Sequence, residues 1–274
     1  DSSGGSVSPA QYFLALDGVK GDSLDSKYAG WFEVSGFDID LENLGSSATS
    51  AGGGTGTGKA VFSPLTLTLD SNTGLAPLLT MAASGQHLKG ATLVGVTAGA
   101  EHDKVYQLDL ADLLVTKVED DAGAGLTLSL DYSKIELETF IQDDKGAVVP
   151  EGQFGFDLKA NQGGGGAPSV LPSGSVDPSP QPATYFMLID GLNGGSTDKL
   201  HKGWFEITGF DFDLENLGGA GTGKPNFSLL NVTLPQEAGL ADVMALVAAG
   251  TLVKVVRLWG FTGGPAPAKG YGSS

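Results

Sequence analysis

Apolar and polar residues alternate with a period of two through much of the chain. Phe37-Asp38-Ile39-Asp40-Leu41-Glu42 sets its apolar side chains on one side and its carboxylates on the other, the pattern of a half-buried strand. Phe210-Asp211-Phe212-Asp213-Leu214-Glu215 does the same, and residues 65–69 and 126–130 alternate Leu with Thr or Ser. Such segments suit antiparallel strands with one solvated face. Residues 105–110, 135–141 and 253–259 predict further strands. Two stretches break the alternation. Residues 75–83 are rich in Ala, Leu and Met, with Pro77 near the first turn and Gly85 past the end, and residues 240–249 are their twin, closed by Gly250. An early Pro and a trailing Gly frame a helix. Many short strands with one helix per copy predict a mainly β fold: small barrels of two β-sheets, each with a single packed helix.

An internal repeat organises this pattern. Residues 12–45 and 185–218 agree at about twenty of thirty-four positions, far beyond chance within one chain. The correspondence continues in Thr57-Gly58-Lys59 and Thr222-Gly223-Lys224, in Gly74-Leu75-Ala76 and Gly239-Leu240-Ala241, and in Gly85 and Gly250. The first copy has the longer Gly/Ser/Thr loop, over 46–54, and runs on through 105–116, 126–142 and 153–159. The second stops after Leu258-Trp259-Gly260-Phe261 and a short tail. The predicted organisation is an N-terminal tail (1–10), a complete module (11–161), a linker (162–184) and a shortened module (185–274). The linker opens with a run of four glycines, 163–166, followed by Pro168, Pro172, Pro178, Pro180 and Pro182. It is expected to be flexible at its Gly end and an extended polyproline spacer at its Pro end.

Asp and Glu number 32 against 15 Lys and Arg, a formal net charge of -17. That balance opposes nucleic-acid binding, which needs a basic face, and adhesion to anionic membranes. The chain has no cysteine, so disulfides, thiolate metal sites and a Cys nucleophile are excluded. No apolar run reaches the ~18 residues of a membrane span. The start in Asp1-Ser2-Ser3-Gly4-Gly5 suits a processed secreted protein.

Candidate chemistry is sparse. Gly53 to Gly58-Lys59 and Gly218 to Gly223-Lys224 have the spacing of a phosphate-binding loop. The residue that should hold magnesium is Ala60 or Pro225, and a strand pattern follows where a helix should. The row Asp38, Asp40, Glu42 and its repeat Asp211, Asp213, Glu215 is expected to be a solvated strand face, because alternate strand residues splay apart instead of converging on calcium. If another chain packs there, the row could meet lysines. His87, His102 and His201 have no ligand spacing. Trp31 and Trp204, each beside a Phe, are expected to anchor the core. No nucleophile and base are placed together, so the expectation is a protein without catalytic, cofactor or metal sites.

The first copy resembles the haemolysin-coregulated protein (Hcp) family, the tube protein of type VI secretion. The resemblance rests on Tyr12-Phe13-Leu14, Asp17-Gly18, Gly21-Asp22-Ser23 and Gly30-Trp31-Phe32-Glu33-Val34, and then on Ala82-Ala83-Ser84-Gly85-Gln86-His87. It continues in Tyr106-Gln107-Leu108, Leu113-Leu114-Val115-Thr116 and Phe154-Gly155-Phe156-Asp157-Leu158, so it spans 11–161. Tyr28 stands where the family often has His, and His201 restores it in the second copy. The resemblance implies a barrel of two sheets with a helix on its side, six-membered rings, stacking into tubes and a structural role. It also implies that the glycine-rich loops reach a neighbouring subunit. These are Gly52, Gly53, Gly54, Thr55, Gly56, Thr57, Gly58 and Lys59 in the first copy, and Gly219, Ala220, Gly221, Thr222, Gly223 and Lys224 in the second.

A barrel short of strands exposes backbone edges and apolar surface. Residues 229–234 and 253–261 are too apolar to rest in water, which marks Val253, Val255, Arg257 and Trp259 as an open edge. Three outcomes follow: the sequence is cut short, the first module covers the face, or another copy supplies strands by β-augmentation. The expectation is a secreted bacterial protein whose partner is itself, assembled into a tube, fibre or ring, with assembly in the cytoplasm before export as the runner-up. The alternatives are a type VI component carrying effector proteins, and a matrix or glycan adhesin using aromatics such as Tyr271.

Overall fold

The computed structural model describes residues 5–6, 8–43, 60–99, 101–122, 125–143, 145–164, 167, 169–172, 184–216, 224–234, 239–249 and 252–261. The first repeat contains β1 (Gly5–Ser6), β2 (Gln11–Leu16), β3 (Phe32–Asp38), β4 (Leu41–Asn43), β5 (Ala60–Phe62), β6 (Leu65–Leu69), α1 (Leu75–Ser84) and β7 (His87–Val96). It continues with β8 (Lys104–Asp121), β9 (Gly125–Asp131), β10 (Lys134–Gln142) and β11 (Val148–Asp157), and β12 (Gln162–Gly163) follows. The second repeat holds β13 (Thr184–Ile189), β14 (Phe205–Ile207), β15 (Gly209–Asn216), β16 (Pro225–Phe227), β17 (Asn231–Thr233), α2 (Leu240–Ala249) and β18 (Val256–Phe261). The fold is mainly β, as the alternation predicts.

The chain divides into two compact units. Unit 1 gathers Asp1–Asp120, Ala124–Ser179 and Phe212–Leu229, and unit 2 gathers Asp121–Gly123, Pro180–Asp211 and Leu230–Ser274. In unit 1 the order β8-β7-β2-β3-β6-β9 returns to β8 and closes a barrel, while β10, β11 and β12 continue outward from β8. Closure rests on β8, an 18-residue strand against the usual five or six. The alternating leucines do what their spacing requires. Leu65, Leu67 and Leu69 of β6 lie opposite Leu130, Leu128 and Leu126 of β9, and all six are buried in one core cluster. Helix α1 contributes Leu78, Met81 and Ala82 to that core and ends on Gly85 at φ 65°, whose N–H donates to the Met81 carbonyl.

Unit 2 repeats the opening of this design on a smaller core. Strand β13 lies between β14 and β18, and Met187, Phe205 and Ile207 are its buried centre. The correspondence extends to single hydrogen bonds. Gly21 N–H donates to the Gly30 carbonyl at 2.8 Å, and Gly194 N–H to Gly203 at the same distance. Ser23 N–H donates to Trp31 and Ser196 N–H to Trp204, both at 2.9 Å. A Cβ on Gly21 would lie 2.3 Å from the Trp31 carbonyl carbon, and one on Gly194 2.4 Å from the Phe205 nitrogen. Two close backbone approaches therefore explain two glycines at matching places.

Three local findings modify the sequence reading. The first copy of the Phe-Asp-x-Asp-Leu-Glu segment is not one strand: β3 ends at Asp38, and Leu41–Asn43 pairs only with β5 in a separate two-stranded sheet. The segment 162–184 begins fastened to unit 1. Strand β12 pairs with β11, Val170 N–H donates to Thr92 Oγ1 at 2.8 Å, and Ser169 Oγ donates to Asp109 Oδ2 at 3.0 Å. The last strand of the second repeat starts at Val256, so Val253 and Val255 precede the ladder.

Candidate assembly interface

The second-repeat hairpin β15–β16 has the register of its first-repeat counterpart β4–β5. Leu214 faces Phe227, Glu215 Asn226 and Asn216 Pro225, as Leu41 faces Phe62, Glu42 Val61 and Asn43 Ala60. Their surroundings differ. Residues 212–229 belong to unit 1, where Leu214 is 0% exposed and a member of the main core cluster. Asn216 Nδ2 donates to the Ala82 carbonyl of α1 at 3.0 Å, and β16 packs against α1. Leu41, the repeat equivalent of Leu214, is 53% exposed. The difference lies at the leucine: Leu214 is buried and Leu41 is half-exposed, although Ile39 and Phe62 beside it pack against the same core.

The docked hairpin corrects the reading of the acidic row. In the first copy Asp38, Asp40 and Glu42 are exposed, as a solvated face should be. In the second, Asp213 and Glu215 are half-buried. Lys117 Nζ lies 3.8 Å from Asp213 Oδ1 and 2.7 Å from Glu119 Oε2. The lysine is pushed above its ordinary value by its hydrogen bond to Glu119 and by the nearby charges of Asp213 and Glu215. The lysine that meets the second copy of the row comes from β8 of the same chain.

Beside hairpin β4–β5 runs a cleft of about 260 Å³, lined by Ile39, Leu41 and Phe62 from the hairpin side and by Tyr106, Ile135 and Leu137 from the barrel. Among the described residues of unit 2, strand β18 pairs with β13 alone, whereas its counterpart β7 is flanked by β2 and β8. Val255, Arg257 and Trp259 are exposed and Val253 is half-buried. Helix α2 shows Met244 at 62% and Val247 at 77% exposure. Lys224 is exposed. The loop positions 52–59 and 219–223, and Tyr271, lie outside the described residues.

Polar pairs that carried no signature in the sequence also emerge. Each histidine sits on an aspartate: His87 on Asp112 at 2.9 Å, His102 on Asp25 at 2.8 Å and His201 on Asp198 at 2.7 Å. Asp112 is the hub of one cluster, accepting from Lys159 and from Ser133 Oγ at 2.7 Å. Ser133 Oγ thus shares the Asp112 carboxylate with His87 and Lys159. His201 and Tyr28 occupy equivalent places in aromatic clusters. His201 stacks on Phe186 and Tyr28 on Phe13, both at 4.6 Å, with Trp204 and Trp31 edge-on at 5.2 Å. Trp31 is buried and Trp204 half-buried.

The first repeat closes a β-barrel, and a hairpin of the second adds Leu214 to its core. The chain belongs to the Hcp family: the family described as "Type VI secretion system effector, Hcp" matches residues 13–138 and 186–264, one segment in each repeat. No curated protein matches. Among solved structures, a type six secretion system protein is 25% identical at a TM-score of 0.50, over 56% of this chain and 99% of its own. Hcp1 from Salmonella typhimurium is 25% identical over 56% and 97%, with a TM-score of 0.44. A type VI secretion system effector from Yersinia pestis is 18% identical over 53% and 98%, at 0.39. Each covers about the length of one complete module. Among the described residues no helix is long and apolar enough to cross a membrane.

Proposed function

We propose that this chain is a non-enzymatic building block of a type VI secretion assembly, a subunit of a tube, ring or fibre whose main partner is itself. The modules that duplicate are 11–161 and 185–274, joined by 162–184. The observation that carries the reading is the contrast between Leu214, fully buried in the core of unit 1, and its duplicate Leu41, which is exposed. Full burial of a leucine contributes about 1.5–3 kcal/mol, and the half of Leu41 still open to solvent would gain part of that on association. The open edge of β18 adds unpaired backbone groups that favour another strand. Family membership supports a structural role and export by a bacterial type VI system, with assembly preceding export. The net charge of -17 keeps nucleic acid and anionic lipid from competing for these surfaces. Analytical ultracentrifugation with negative-stain microscopy of the same sample tests the proposal. Species at multiples of 27.8 kDa forming rings or tubes are expected, and a monomer at tens of micromolar would refute it.

A further inference from the structure

The segment that follows β12 crosses one face of unit 1. Ala167 is buried, Val170 packs on the cluster of Phe13, Ala15, Trp31, Val94 and Val96, and Val170 N–H donates to Thr92 Oγ1. Under that cover Val94 is 4% exposed. Unit 2 repeats the face with larger side chains. The pairing of β2 with β7 and of β13 with β18 puts Trp259 where unit 1 has Val94, Phe261 where it has Val96 and Arg257 where it has Thr92. Alternation sets these three on one side of β18. Trp259 lies 5.2 Å from Trp204 and Phe261 4.2 Å from His201, ring centre to ring centre, and His201 stacks on Phe186. Trp259 is nevertheless 47% exposed. The aromatic face is built and stands half open.

We infer that residues 262–274, which lie outside the described residues, close this face as a strap, laying Pro265-Ala266-Pro267-Ala268 across Trp259 toward Arg257. Three observations select this occupant. The segment leaves from Phe261, itself a member of the aromatic cluster. Its thirteen residues reach roughly 40 Å when extended, against about 20 Å for the six residues of β18. Its composition matches the strap of unit 1: Gly263-Gly264 leads into Pro265-Ala266 as Gly165-Gly166 leads into Ala167-Pro168. The anchor chemistry fits as well. Thr92 accepts an N–H from its strap, whereas Arg257 only donates, and a segment with two prolines offers carbonyls where it lacks N–H groups. Aromatic faces hold extended Pro-rich segments through their rings. The contact lies within unit 2 of one copy and does not depend on self-assembly.

Acrylamide quenching of Trp259 fluorescence, taken as the difference between each chain and its Trp259→Phe variant, reads the cover directly. A chain ending at Thr262 should be quenched at Trp259 at least twofold more readily than the full chain, the contrast between a bare site and one covered as Val94 is. A synthetic peptide of residues 262–274 should reverse this saturably in the shortened chain and leave the full chain unchanged, its seat being taken. Pro265→Asp with Pro267→Asp in the full chain, a change outside every described strand and helix, should act as the shortening does. Equal quenching in the full and shortened chains overturns the strap, and if their shared protection is lost on dilution a second copy is the cover. A peptide that protects both chains alike also overturns it.

Discussion

Replacing Leu214 and Leu41 by alanine, one at a time, measures what hairpin docking contributes. The two residues hold the same place in the repeat, pair with equivalent phenylalanines and differ in exposure, 0% against 53%. Leu214 belongs to the cluster built by Leu65, Leu67, Leu126 and Leu128, so its truncation removes transfer energy and leaves a cavity, a cost of about 2–5 kcal/mol. Leu41→Ala changes a half-exposed side chain and should stay within about 0.5 kcal/mol. For a domain of this size each kcal/mol moves the melting temperature by roughly 2–4 °C. Leu214→Ala should therefore melt roughly 4–20 °C below the native protein and Leu41→Ala within about 2 °C. The assay is thermal unfolding followed by near-ultraviolet circular dichroism, at a concentration where copies do not associate. Equal shifts for the two variants would refute the reasoning, because the docked hairpin would then contribute nothing to the unit 1 core.

Further expectations follow from other contacts. Asn216→Ala leaves the Ala82 carbonyl without its 3.0 Å donor in a buried setting, a loss of about 1–3 kcal/mol readable in urea unfolding. Gly21→Ala drives a methyl group to 2.3 Å from the Trp31 backbone and should destabilise unit 1 by about 1–3 kcal/mol or more; an unchanged melting temperature would contradict the close approach. Lys159 first, then Ser133 and His87, hold the Asp112 carboxyl well below its ordinary value of 3.8. A carboxyl depressed by folding adds stability above its unfolded value and loses it as pH falls through the folded one. Asp112→Asn should thus melt lower than the native protein at neutral pH, with the gap closing below pH 3.8; a gap independent of pH would argue against the ionised hub.

Much of the architecture was legible because it follows from period and punctuation. The leucines of β6 and β9 alternate and the helices are bounded by Pro77, Gly85 and Gly250, so their elements emerge nearly where expected. The equivalence of the copies was also readable, down to the glycines that turn out to meet Trp31 and Phe205. Sequence identity hid the divergence. Phe37–Glu42 and Phe210–Glu215 have nearly the same pattern, yet one is interrupted and solvated while the other is a continuous strand with a buried leucine. Local alternation states which residues share a face and is silent on what covers that face. The histidine–aspartate pairs were equally invisible, since His87 and Asp112, or Asp25 and His102, meet only through tertiary folding.

Hairpin β15–β16 reaches its place on α1 as part of the same polypeptide. Such tethering sets an effective concentration on the order of millimolar. A rival arm delivered by a free molecule at micromolar levels competes at roughly a thousandfold disadvantage. The seat on α1 is therefore taken before any encounter with another molecule, so the duplication reserves it for the chain's own hairpin.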